Sequence, residues 1–136
     1  MTISFDTFMK LIRKSVELDP WIKETGIDGY GEFMIEETNE VIEALKSSDT
    51  ENLKEELGDL LSLWAIVCML AEEEKLFDTE EVIKRAIEKI KSRRPYVFED
   101  REVSIEEAVR IWYAAKDKEK AQKNGISERN QSGFQK

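Results

Sequence analysis

The chain has 136 residues, room for one domain and hardly two, and 40% of them are hydrophobic, enough for a packed core. Six Gly and two Pro leave too little turn punctuation for a many-stranded β fold. There are 21 Lys+Arg against 30 Asp+Glu, and the net charge of -9 argues against a general nucleic-acid or anionic-membrane binder.

Nearly every segment reads as helix. Phe5, Phe8, Met9, Ile12 and Val16 share one face at helical spacing. That helix must stop at Asp19-Pro20, because a residue preceding proline is pushed out of the α region. Residues 20–31, with Gly26, Gly29 and Gly31, read as a loop. A second helix is predicted from about Glu32 to Lys46. Ser48-Asp49-Thr50 then supplies a break and N-cap chemistry for a third, from about Glu51 to Lys75. Asp78-Thr79 caps a fourth, about Glu80 to Arg93, with Val82, Ile83, Ala86, Ile87 and Ile90 as an apolar stripe ended by Arg94-Pro95. Ser104 and Glu107 form a capping box for a fifth helix carrying Ile105, Ala108, Val109 and Trp112. Residues 121–136 are rich in Asn, Gln, Ser and Gly and read as a flexible tail beyond a domain spanning 1–120.

The stretch from Leu60 to Ala71 is apolar except for Ser62. A membrane span needs roughly 20 residues, so this one is too short. Its apolar character all round calls for cover on every side. The expected fold is therefore all-α, a bundle of about five helices completed by homodimerisation or by a dimer of dimers; the alternative is an ordinary central helix of a single bundle. The single cysteine, Cys68, cannot form an internal disulfide and reads as a small buried hydrophobe, compatible with a reducing cytoplasm. Met1-Thr2-Ile3-Ser4-Phe5-Asp6 has no basic stretch followed by an apolar core, so no signal peptide is expected and the predicted location is cytoplasmic.

The informative feature is the placement of certain carboxylates. On a helical wheel Glu37 falls amid Phe33, Met34, Val41, Ala44 and Leu45, with Glu40 at the edge of that face. On the next helix Glu56 shares a face with Leu60, Leu63 and Val67, and Asp59 borders it. Each pair is spaced i, i+3, so its side chains are neighbours, and antiparallel helices would bring the pairs together. Four carboxylates on core-facing stripes repel one another and lose hydration unless something compensates. The chain contains no histidine, which removes Ser-His-Asp triads, Cys-His pairs, zinc-histidine sites and Glu-x-x-His di-iron bundles. Carboxylate-only ligation favours a hard cation, Mg²⁺ or Mn²⁺. The competing reading is that these are solvated Glu on charged helices.

A basic segment adds to this. Residues 32–59 hold ten acidic and two basic side chains, whereas between Lys84 and Arg94 six basic residues face only Glu88. Lys89 and Arg93 are i, i+4, off the apolar stripe. An acidic cage together with a Lys/Arg pair suits a metal-bound polyphosphate. The alternative is a basic helix end complementing its own dipole.

At these residues the sequence resembles a known family. Glu36-Glu37-Thr38-Asn39-Glu40 followed by Glu56-Leu57-Gly58-Asp59 resembles the Glu-Glu-x-x-Glu … Glu-x-x-Asp signature of MazG-type nucleoside triphosphate pyrophosphohydrolases. Asp19-Pro20-Trp21 … Lys23-Glu24-Thr25 is similar to the family's Cys-Pro-Trp-Asp-x-x-Gln-Thr loop. The run from Lys89 to Phe98 resembles its Lys-Leu-x-x-Arg-His-Pro-His-Val-Phe segment, and Trp112, Lys116, Glu119 and Lys120 its Trp-x-x-x-Lys-x-x-Glu-Lys helix. The likeness covers about residues 10 to 120. Arg94 and Tyr96 stand where the family has histidines; Asp19, Ile22 and Glu24 also depart from it.

The resemblance implies an all-α, dimerising fold in which Glu37, Glu40, Glu56 and Asp59 hold Mg²⁺, with Mn²⁺ as substitute. It implies nucleotide binding by Lys89, Arg93, Trp112 and Lys116, and hydrolysis of an NTP or dNTP to the monophosphate and pyrophosphate. Glu36 is the expected proton acceptor for the attacking water. Trp112 is a candidate for stacking on the base or else a core anchor for the last helix; Trp21, in the loop, is a second stacking candidate or else plugs the bundle end. Two rivals stand beside this house-cleaning activity: a narrower dUTPase-like or phosphoribosyl-ATP pyrophosphatase relative, and a non-enzymatic helical interaction module.

Overall fold

The computed structural model describes residues 3–133, with side chains as far as residue 125. Among the described residues there are six helices and no strand: α1 (Phe5–Leu18), α2 (Pro20–Lys46), α3 (Thr50–Glu73), α4 (Thr79–Arg93), α5 (Pro95–Phe98) and α6 (Ile105–Gly133). The all-α expectation holds, with the one-turn α5 as an additional helix. None of the described helices is long and apolar enough to cross a membrane. The chain divides into two compact units, residues 1–82 and 83–136.

In the first unit the helix boundaries follow from local chemistry. The Ser4 hydroxyl accepts from the Thr7 amide at 3.1 Å and starts α1. Asp19 takes an extended conformation because Pro20 follows. Its amide still donates to Ser15 O at 2.8 Å, and its carboxylate accepts from the Trp21 amide at 2.9 Å. One residue thus closes α1 and opens α2, with Pro20 at the position where a missing N–H costs nothing.

The loop expected over residues 20–31 is instead helix with one interruption. Gly26, at φ 67° and ψ 175°, breaks the ladder within α2 in a region that side chains with a Cβ avoid. Helix then resumes through Gly29 and Gly31 despite their poor propensity, roughly 1 kcal/mol each relative to Ala. Packing overrides propensity: Ile22 and Tyr30 are buried in the core, and Ile27 and Phe33 pack against it. At Gly29 a Cβ would lie 2.6 Å from the Thr25 methyl, so the small residue lets the turn pass close to Thr25.

Residues 47–49 turn the chain from α2 into α3. Ser48 adopts φ 56°, and Asp49 then caps α3, accepting from the Asn52 amide at 3.1 Å. So short a connection makes α2 and α3 antiparallel neighbours. The core joins Ile12 and Val16 of α1, Ile22 and Tyr30 of α2, and Ala65, Met69 and Leu70 of α3. Much of the all-round apolar stretch of α3 is therefore covered within the chain: Ala65 and Cys68 to Ala71 are buried. Ile42 and Leu45 of α2 and Leu57 and Leu61 of α3 stay exposed.

Asp78 and Glu81 form a reciprocal capping box at the start of α4, with amide-to-carboxylate distances of 2.8 and 3.0 Å. Beside it Glu72 accepts from both the amide and the hydroxyl of Thr79 at 2.9 Å, and from Arg13 at 3.1 Å.

The second unit begins inside α4. Its Ile83, Ile87 and Ile90 are 39%, 44% and 39% exposed, so the predicted apolar stripe exists as a stripe without becoming core. The helix ends at Arg93 because Pro95 follows, and α5 is the single turn that Pro95 starts. At α6 the Ser104 hydroxyl accepts from the Glu107 amide at 3.2 Å. The Glu107 carboxylate turns to Arg101 at 3.6 Å, leaving half of the predicted capping box. The backbone of α6 continues as helix past Lys120 to Gly133; residues 134–136 of the predicted tail lie outside the described residues.

Candidate metal and nucleotide site

The antiparallel pairing of α2 and α3 sets two i, i+3 carboxylate pairs against each other. Glu37, Glu56 and Asp59 each contribute an oxygen to a group whose members all lie within 4.8 Å of one another. Glu37 and Glu56 are half-buried and Asp59 is exposed. Oε2 of Glu37 and Oε2 of Glu56 are covered from solvent and have no hydrogen-bond partner. Glu40 is exposed and lies outside the converging three, although its carboxylate is near enough to raise that of Glu56.

The electrostatics follow from this crowding. Hydrogen bonding with Glu40, then desolvation, then Glu37 push the Glu56 carboxyl up to about 7. Desolvation, with the charges of Glu40 and Asp59, also raises Glu37, and its hydrogen bond with Glu56 partly offsets the rise. Opposite ligands around Mg²⁺ at about 2.1 Å sit about 4.2 Å apart. Oxygens gathered within 4.8 Å are near enough to share such a cation, and orphaned, desolvated anionic oxygens are the donors a hard cation takes. The residues present fit such an ion. Glu36 is exposed and is not among the three residues whose oxygens converge. Trp21 is 64% exposed at the start of α2, with its ring edge-on to Phe33 at 6.3 Å.

The predicted nucleotide-binding residues lie in the second unit. Arg93 donates from Nη2 to Glu119 Oε2 at 2.8 Å, and both side chains are largely covered. The Arg93 guanidinium carbon lies 5.6 Å, and Lys116 Nζ 4.5 Å, from the Trp112 ring centroid. Lys89 lines a groove of about 560 Å³ with Arg85, Glu88, Ser92, Glu119 and Lys123. A second cleft, about 340 Å³, is lined by Arg94, Tyr96, Trp112 and Tyr113. Arg93 and Lys116 thus both lie over the Trp112 ring. Glu119, given no role from the sequence, is the direct partner of Arg93. Its distance of 26 residues along the chain hides the pairing from any spacing rule.

Residues 26–98 match the model of the MazG nucleotide pyrophosphohydrolase domain, more than half of the chain. The chain belongs to the MazG family. Among similar proteins is the nucleoside triphosphate pyrophosphohydrolase of Escherichia coli, 33% identical over 118 residues, covering 86% of this chain and 45% of that protein. Another is the uncharacterized protein YabN of Bacillus subtilis, 36% identical over 122 residues, covering 88% of this chain and 24% of that protein. The chain therefore spans less than half the length of these curated relatives. The crystal structure of a MazG-related protein from Thermotoga maritima superposes with a TM-score of 0.75 at 33% identity, covering 82% of this chain and 98% of that one. The matched segment of this MazG domain contains all four acidic positions, together with Lys89 and Arg93.

Proposed function

We propose that this MazG domain is a Mg²⁺-dependent nucleoside triphosphate pyrophosphohydrolase that converts an NTP or dNTP to the monophosphate and pyrophosphate. The observation that carries this reading is the convergence of Glu37, Glu56 and Asp59 with two orphaned carboxylate oxygens, in a family named for this chemistry. Glu37, Glu40, Glu56 and Asp59 would hold the cation, Mg²⁺ or in its place Mn²⁺. When bound, it supplies neutralisation of the triphosphate and acidification of coordinated water. Glu36, an exposed carboxylate outside the converging three, accepts the proton of the attacking water. Lys89 and Arg93 stabilise the charge that develops on the departing pyrophosphate. Lys116 adds a third cation, and Trp112, beside Tyr96 and Tyr113 in a cleft of about 340 Å³, offers a stacking surface for the base.

On this reading residues 1–120 are the functional domain, the protein is cytoplasmic, and its partners are the nucleotide and a second copy of itself. Exposed Ile42, Leu45, Leu57 and Leu61 support a homodimer or a dimer of dimers. The test is a Mg²⁺-dependent screen of NTPs and dNTPs with product identification. Monophosphate plus pyrophosphate is the expected outcome. Diphosphate plus phosphate, or no hydrolysis with any nucleotide, refutes the activity, and the latter favours an interaction module. Turnover confined to dUTP or phosphoribosyl-ATP selects the narrower alternative.

A further inference from the structure

We propose that Glu119 is a positioning residue: its carboxylate fixes the Arg93 guanidinium so that the remaining N–H donors of Arg93 are presented to a polyphosphate. The inference deepens the reading above and rests on it for the choice of ligand. Glu119 Oε2 takes only Nη2 of Arg93, at 2.8 Å. Arg93 Nε is covered from solvent and has no acceptor. A guanidinium has five N–H donors, and a desolvated donor left without an acceptor is costly, so this one awaits an oxygen that a ligand would bring. The cation also lies over Trp112, its central carbon 5.6 Å from the ring centroid, so one contact holds its edge and another its plane.

The surrounding charge selects an anion as that ligand. Arg93, Lys116 beside the same ring, and Arg85, Lys89 and Lys123 in the groove shared with Glu119 give five cations to two carboxylates, Glu88 and Glu119. Arg93, followed by the weaker influence of Lys89, keeps the Glu119 carboxyl below the ordinary carboxylate range, so it stays charged at neutral pH. Without that charge the cations repel one another, and the long Arg93 side chain regains the rotamers it lost. Glu119 acts through Arg93 and contacts no phosphate itself.

The experiment is a double-mutant cycle on the full chain, reading calorimetric binding of inorganic tripolyphosphate in Mg²⁺. Glu119→Gln keeps the side-chain volume and removes the charge; misplacing a cation in this way weakens binding about tenfold to a hundredfold. In an Arg93→Ala background the same change should cost less than about twofold, because the residue through which it acts is gone. Glu119→Asp, which keeps the charge, should recover part of the loss. A purely structural role would give equal losses in both backgrounds and overturn the proposal. So would tighter binding by Glu119→Gln, which would make the carboxylate a competitor for Arg93, and so would a parent protein that does not bind tripolyphosphate. Hydrolysis is scored separately. A non-additive cycle in a protein that cleaves no nucleotide refutes the activity and leaves the positioning role; an additive cycle in an active enzyme does the reverse.

Discussion

Replacing Glu37 with Gln should make the metal-free protein more stable while abolishing its response to Mg²⁺. Oxygens of Glu37, Glu56 and Asp59 lie within 4.8 Å of one another. At that separation a pair of unit charges repels by roughly 1 kcal/mol at the dielectric of water and by about 3.5 kcal/mol at an effective value of 20. The site is open enough on the Asp59 side that the lower figure governs. Glu37→Gln at pH 8 should therefore gain about 1–2 kcal/mol, a rise of roughly 3–7 °C in Tm for a chain of this length. The sign with pH is set by the raised carboxyls. The folded state holds their protons more tightly than the unfolded chain, so the parent loses stability as pH rises from the ordinary carboxylate range towards about 7. Near pH 4 both groups are protonated and the advantage of the variant should vanish. With Mg²⁺ at about a hundred times its Kd, the parent gains about 2.7 kcal/mol and the variant much less. Thermal melts at pH 4 and pH 8, with and without Mg²⁺, provide the measurement. A variant that melts below the parent without metal, yet keeps the parental Mg²⁺ shift, refutes the account of the cluster.

Three further outcomes are expected. The apparent Mg²⁺ affinity, followed by calorimetry, should rise with pH up to about 7 and level off above it, because binding displaces the proton that the metal-free site keeps on Glu56; a flat profile from pH 5 to 8 contradicts this. Glu72→Ala should cost about 1–3 kcal/mol in urea unfolding, since it strips acceptors from Thr79 and Arg13. The Thr79 amide bond, foremost, lowers the Glu72 pKa, so its contribution is full above the ordinary carboxylate value of 4.5 and is lost as pH falls through the lowered one; the cost of the mutation should shrink accordingly. Gly26→Ala should destabilise by about 1–3 kcal/mol although a Cβ there meets open space, because the penalty lies in the backbone at φ 67°; an unchanged denaturation midpoint would mean the kink relaxes freely.

Much of the helical grammar was legible in the residues. Prolines at 20 and 95, the caps at Asp49 and Asp78, and apolar spacing along α1 and α3 act over a few residues, so sequence carries them directly. The i, i+3 acidic pairs were legible for the same reason. Residues 20–31 form helix where their glycine content points to a loop, because glycine counts weigh propensity alone, whereas burial of Ile22 and Tyr30 decides the outcome. The apolar stripe of α4 is visible in the sequence as a pattern, yet periodicity does not say what covers it.

The all-α class, several helix caps, the family and the acidic character of one helix pair are written in spacing or in residue type. Which oxygens meet, which of them lose their water, and that Arg93 is tied to a glutamate 26 residues away depend on the folded chain. Charge placed by helical periodicity is local information; desolvation and long-range pairing exist only once α2 has turned back on α3 and Glu119 has reached Arg93.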